Sequence, residues 1–84
     1  MTKDEFFQKY GDVKVKFCSY YKFAFTYEAQ LPDGKRLTCC FGGNADDIYK
    51  REVSNDKEKT VSNLDPHTGS VYEDGQEIEE FYDY

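Results

Sequence analysis

Asp12-Val13-Lys14-Val15-Lys16-Phe17-Cys18-Ser19-Tyr20-Tyr21-Lys22-Phe23-Ala24-Phe25-Thr26-Tyr27-Glu28-Ala29-Gln30-Leu31 alternates with a period of two. Odd positions carry Val13, Val15, Phe17, Ser19, Tyr21, Phe23, Phe25, Tyr27, Ala29 and Leu31; Lys14, Lys16, Lys22, Thr26 and Glu28 are among the even ones. Successive side chains of a strand point to opposite faces, so the pattern predicts a half-buried antiparallel sheet with the odd set inside. Twenty residues exceed the usual strand length, which predicts a bend or tight turn near residues 18–21, or one strongly coiled strand. Either arrangement is expected to keep the same face inward.

Downstream, Leu31-Pro32-Asp33-Gly34-Lys35 reads as a hairpin connection, because proline presets a negative φ and Gly34 supplies a left-handed position. The returning strand, 36–41, buries Leu37, Cys39 and Phe41 and turns Arg36, Thr38 and Cys40 outward. Gly42-Gly43-Asn44 interrupts, and 46–53 resumes a weaker alternation ending on Ile48 and Val53 that fits a strand better than a helix. Ser54 or Asn55 is expected to cap a second short helix, with Glu58 at the third helical position after Asn55 and with Val61 and Leu64 on the buried side. Pro66 ends it, and 65–69 reads as a turn. In 70–84, Asp74-Gly75 between Val71-Tyr72 and Ile78 signals a two-residue hairpin, in competition with a helix that would align Ile78, Phe81 and Tyr82.

Upstream, Thr2 and Glu5 form a capping box, Met1 and Phe6 stand at hydrophobic-staple positions, and Gly11 follows as a stop. A helix over Lys3 to Tyr10 with Phe6, Phe7 and Tyr10 on one stripe must lie on the sheet, since so short a helix does not persist alone. The whole reads as one α+β domain, 1–84: an N-terminal helix packed on a mostly antiparallel sheet of about four strands, with a second short helix before a C-terminal hairpin. The expected core is Phe6, Tyr10, Val13, Val15, Phe17, Tyr21, Phe23, Phe25, Leu37, Cys39, Phe41, Ile48 and Val71.

Composition limits the function. With 84 residues there is room for one small domain and none for a large enzyme fold, while 38% hydrophobic and 18% aromatic residues are too many for a disordered acidic chain. No apolar run approaches the roughly 18 residues of a membrane span, and the N-terminus has no signal-peptide pattern, so a cytoplasmic protein with no membrane partner is expected. Three cysteines, two of them the adjacent Cys39 and Cys40, suit a reducing compartment. Neither Cys18, Cys39, Cys40 and His67 nor Asn44, Asp46, Asp47, Glu73 and Asp74 has the spacing of a zinc or calcium site, and no cofactor is implied. A thiol with His67 and Asp65 lacks any local catalytic motif, so catalysis is not expected.

The charge is divided unevenly. Residues 1–42 carry seven bases and five acids, net +2, whereas 43–84 carry four bases and twelve acids, net −8. The densest acidic stretch, Glu73, Asp74, Glu77, Glu79, Glu80 and Asp83, is interleaved with Tyr72, Phe81, Tyr82 and Tyr84. Such a run commonly serves solubility. Carboxylates spaced along an edge also imitate phosphates and fit a protein's basic nucleic-acid groove, with aromatic anchors supplying affinity. This reading makes Glu73, Asp74, Glu77, Glu79, Glu80, Phe81, Tyr82 and Asp83 the partner-binding set, the partner a host protein with a basic nucleic-acid-binding surface. Direct nucleic-acid binding is opposed by phosphate repulsion.

In size and in this acidic, aromatic tail, the chain resembles small phage-encoded inhibitors of bacterial defence systems, acidic anti-CRISPR proteins among them. The likeness is one of composition over residues 73–84. It implies stoichiometric inhibition of a defence complex in the host-cell cytoplasm, without catalysis. A second set, Lys14, Lys16, Tyr20, Lys22 and Arg36, is expected on the outer strand face. Lysines there commonly protect an exposed sheet. Interleaved with aromatics they also suit a nucleotide ligand, so sequestration of a signalling nucleotide is the alternative function.

Overall fold

The computed structural model describes residues 1–22, 24–42 and 59–83. Helix α1 (Lys3–Tyr10) precedes strands β1 (Lys14–Tyr21), β2 (Ala24–Gln30) and β3 (Arg36–Gly42). Then follow β4 (Lys59–Thr60), helix α2 (Val61–Leu64), β5 (Thr68–Glu73) and β6 (Gln76–Tyr82). The described strands form one antiparallel sheet of six in the order β4-β1-β2-β3-β5-β6, two more than the sequence predicts.

Local chemistry accounts for most element ends. The Thr2 hydroxyl accepts from the Glu5 N–H at 3.1 Å while the Glu5 carboxylate accepts from the Thr2 N–H at 2.9 Å, completing the expected box. Gly11 stops α1 for a reason other than the expected one. Its backbone is right-handed, at φ −59°, and a Cβ there would collide with the Phe7 carbonyl and the Ser62 hydroxyl. Glycine is needed because α2 crosses it closely, with the Ser62 N–H donating to the Gly11 carbonyl at 3.0 Å. Helix α2 is capped by Thr60, whose hydroxyl accepts from the Asn63 N–H at 3.2 Å; the predicted caps Ser54 and Asn55 lie outside the described residues. At the C-terminal hairpin Asp74 and Gly75 have φ of 52° and 79°, the left-handed pair that a tight hairpin turn requires, which excludes the competing helix.

One predicted regularity fails. Phe17 pairs with Tyr27 but Ser19 pairs with Thr26 and Tyr20 with Phe25, so Cys18 is an extra residue in β1. Such a bulge reverses the parity beyond it. Tyr20 therefore turns inward, its ring 4.6 Å from that of Phe25, and Tyr21, expected in the core, is 70% exposed. The expected core residues Phe23 and Ile48, and the strand predicted over 46–53, lie outside the described residues.

The core occupies one face of the sheet, beneath α1 and α2. Register aligns Tyr27, Cys39, Gly69 and Phe81 across four strands, and Ala29, Leu37, Val71 and Glu79 in the next row. Phe6, Tyr10, Val15, Phe25, Tyr27, Leu37, Cys39, Val61, Val71 and Phe81 are buried; Phe7, Val13, Phe17, Tyr20, Phe41 and Leu64 pack around them. Gly69 leaves a notch in this face. A Cβ on it would lie 2.6 Å from the Phe81 ring and 2.8 Å from that of Phe6, and through this notch Phe6 reaches Phe81 at 4.7 Å between centroids. Filling the notch by Gly69→Ala is expected to cost about 1–3 kcal/mol through overpacking, and Phe6→Ala about 3–5 kcal/mol through the cavity it leaves. Urea unfolding checks both; a Gly69→Ala protein as stable as the parent would show that the helix does not depend on this notch.

Candidate functional site

Strand β6 carries most of the predicted acidic set and is an edge of the sheet. Its pairing with β5 shifts between Val71 and Tyr72, so that Val71 faces Glu79 and Tyr72 faces Glu77, leaving Ile78 unpaired and exposed. Such a bulge discourages strand addition at an edge, and it also separates the carboxylates. Glu79 and Phe81 turn toward α1. Glu77, Glu80 and Tyr82 turn to the face opposite α1 and α2, beside Ser70 and Tyr72.

The inward members, and the exposed Asp83 just beyond β6, belong to the fold. Phe81 is 1% exposed and contacts Phe6 and Phe7, which removes it from the predicted partner-binding set. Glu79 accepts from Tyr10 Oη at 2.6 Å and from Lys9 Nζ at 2.7 Å, fastening the last turn of α1 to the sheet edge. The Lys9 ammonium, followed by the Tyr10 hydroxyl, holds the Glu79 carboxyl below the usual glutamate range. Burial, then the carboxylate it bonds, pushes the Tyr10 hydroxyl up. Asp83 lies 3.3 Å from Lys3 Nζ, which also pairs with Asp65 at 2.9 Å and so ties α1 to the ends of α2 and β6.

The outward members form the candidate surface. Tyr82 is 59% exposed and donates to Glu80 Oε2 at 3.1 Å; that bond first, then the nearby charge of Glu77, raises its hydroxyl above the usual tyrosine value. Glu77 accepts from the Ser70 hydroxyl at 2.5 Å. Asp74 sits at the hairpin tip, and Glu73 lies 3.8 Å from Lys35. Sequence reasoning named Tyr72 among the aromatics of the acidic stretch but missed Ser70, because the register that brings Ser70 near Glu77 depends on the bulge.

The structure does not gather the second set. Lys14 and Lys16, either side of the buried Val15, point to the face opposite α1 and α2 and line a hollow of about 270 Å³ with Glu28 and Gln30. Tyr20, expected between them, is on the core side because of the Cys18 bulge. Lys22 sits in the β1–β2 turn over the Tyr21 ring at 5.3 Å. The Arg36 guanidinium stands 5.5 Å from the Tyr72 ring centroid and 3.8 Å from Glu28, in a cleft of about 570 Å³ between the Gly34 and Gly75 turns.

Cys39 is buried, and burial, then the adjacent Cys40, pushes its thiol up to about 12, which withholds the nucleophilic thiolate near neutrality. Cys40 Sγ lies 3.4 Å from Thr26 Oγ1, while Cys18 and the His67 side chain are exposed. Among the described residues no three or more His, Cys, Asp or Glu side chains form a group able to hold a metal ion, and no helix is long and apolar enough to cross a membrane. Asn44, Asp46 and Asp47 lie outside the described residues.

The fastening at Glu79 is expected to be pH-dependent. A carboxyl whose folded pKa is lowered contributes fully above its ordinary value, about 4.3, and the contribution is lost as pH falls through the lower folded value. Glu79→Gln is expected to cost about 1–2 kcal/mol at neutral pH, with the gap to the parent closing in acid. Urea unfolding of both proteins across the acid range checks this; a gap independent of pH would contradict the ionised fastening. No protein-family model, no curated protein and no solved structure matches this chain.

Proposed function

We propose that the protein acts by stoichiometric binding, as a phage-type inhibitor of a host defence complex, and engages a basic nucleic-acid-binding surface on that complex through its acidic C-terminal hairpin. The host-cell cytoplasm is the corresponding setting, and no catalytic step is involved. The observation that carries the reading is the division of β6: Glu77, Glu80 and Tyr82 share one electrostatic environment on the exposed side, felt at the Tyr82 hydroxyl, while Glu79 and Phe81 serve the fold. With Glu73 and Asp74 at the hairpin tip, the exposed carboxylates line a short edge that ends on an accessible ring. Charge of this kind steers encounter with a basic groove, and the ring at the far end of the strand adds contact area. Nucleotide sequestration is less well supported, since Tyr20 and Lys22 stand apart from Lys14, Lys16 and Arg36.

The test is affinity capture from a bacterial lysate followed by mass spectrometry. Glu77→Lys with Glu80→Lys is expected to abolish capture of the partner with the fold retained, and Tyr82→Ala to weaken it about tenfold or more, as loss of an interface anchor does. Glu79→Gln is expected to lower stability and leave capture by the folded fraction intact. Capture unaffected by the double reversal but lost on Lys16→Ala or Arg36→Ala would transfer the activity to the basic face.

A further inference from the structure

Beyond the acidic hairpin, the sheet face opposite α1 and α2 is segregated by charge among the described residues. At its β1 side stand Lys14 and Lys16, and at its β6 side stand Glu77 and Glu80. Between them the register lines up small polar side chains: Thr38 beside Ser70, and Thr26, Cys40 and Thr68 in the next row. Lys16 begins and Glu80 ends a single row that runs through Glu28, Thr38 and Ser70 across five strands. The core residues, α1 and α2 all belong to the opposite face.

We infer that this face pairs with a second copy of the chain, in a two-fold dimer whose axis runs along β3. A two-fold along the strands exchanges left and right, so β1 of one copy covers β6 of the other and Lys14 and Lys16 meet the partner copy's Glu77 and Glu80. The other in-plane two-fold, across the strands, would set lysine on lysine and glutamate on glutamate. Charge complementarity thus selects one symmetric arrangement, an isologous interface. Thr38, Ser70, Cys40 and Thr26 are short side chains in the middle of the face, beside the taller pair Arg36 and Tyr72, and two sheets pack at about 10 Å. Arg36, close to the axis, has the Glu28 carboxylate 3.8 Å away to offset its charge. Strands about 4.8 Å apart and about 20 Å long make roughly 400–500 Å² per copy, at the small end of specific interfaces. The dimer is therefore weak and salt-sensitive, and it covers Glu77 and Glu80 when it forms, in competition with the proposed partner.

Sedimentation velocity at low salt over concentrations up to about 1 mM tests this, the range in which a weak dimer is populated. The parent protein is expected to dimerise reversibly, with an affinity falling about tenfold or more in about 0.5 M salt as charges are screened. Lys14→Glu with Lys16→Glu makes both sides of the face acidic, and Glu77→Lys with Glu80→Lys makes both basic. Each variant alone is expected to be monomeric with an unchanged circular dichroism spectrum, and their mixture to form a heterodimer at least as tight as the parent dimer. Should a reversed variant misfold, the neutral pair Glu77→Gln with Glu80→Gln takes its place and is expected to weaken the dimer about tenfold. A parent protein monomeric throughout, or a mixture that associates no better than its components, would overturn the inference. Lysate capture separates the two proposals: a monomeric parent that loses its partner on reversal of Glu77 and Glu80 supports the acidic-hairpin reading alone, and a charge-swapped heterodimer beside unaltered capture supports the dimer alone.

Discussion

The ring of Phe6 rests on the bare backbone of Gly69, and the joining of helix to sheet depends on that contact. Gly69 sits in the central row of the buried face, between Cys39 and Phe81, where any side chain would hold the helix away. The seated Phe6 covers the inner side of the β5–β6 hairpin, brings Tyr10 and Lys9 within reach of Glu79, and sets Lys3 near Asp65 and Asp83. A domain of this size buries a modest share of its surface, so a single aromatic contact that joins the first helix to the last strand weighs heavily.

That seating determines which side chains of β6 are available to a partner. Once Phe81 is under Phe6 and Glu79 is bonded to α1, alternation and the bulge at Ile78 turn Glu77, Glu80 and Tyr82 to the opposite face. The interior therefore orders the exposed acidic edge. The same sheet carries Lys14 and Lys16 at the other side of that face, which makes the face electrostatically two-ended across its strands among the described residues.

Signals that are local in sequence were legible. The capping box at Thr2 and Glu5, the Gly34 and Asp74-Gly75 turns, and the inward set Val15, Phe25, Leu37, Cys39 and Val71 follow from propensity, turn chemistry and alternation, and all appear in the structure. The bulges were not legible, because an extra residue in one strand is stabilised by packing on its neighbours and leaves no mark in its own composition. The bulge at Cys18 exchanged Tyr20 and Tyr21 and dispersed the basic and aromatic set. The bulge at Ile78 placed Glu77 beside Tyr72. The inward role of Phe81 was partly legible from its hydrophobicity, yet a charged neighbourhood reads equally as an exposed tail until the helix that covers it is in place. Gly11 shows a related limit: the residue was identified as a helix stop, but its cause is a crossing helix fifty residues away in the chain.

The two sides of β6 thus divide between the fold, served by the inner side, and the proposed recognition of a basic surface, assigned to the outer side. The most direct test of this division is a titration of isotopically labelled protein with a short arginine-rich peptide, followed residue by residue by NMR. Saturable shifts are expected centred on Glu73, Asp74, Glu77, Glu80 and Tyr82, with Glu79, Phe81, Lys9 and Tyr10 unmoved. Shifts centred instead on Glu79 and α1, or spread evenly over the acidic residues of the whole chain, would contradict it.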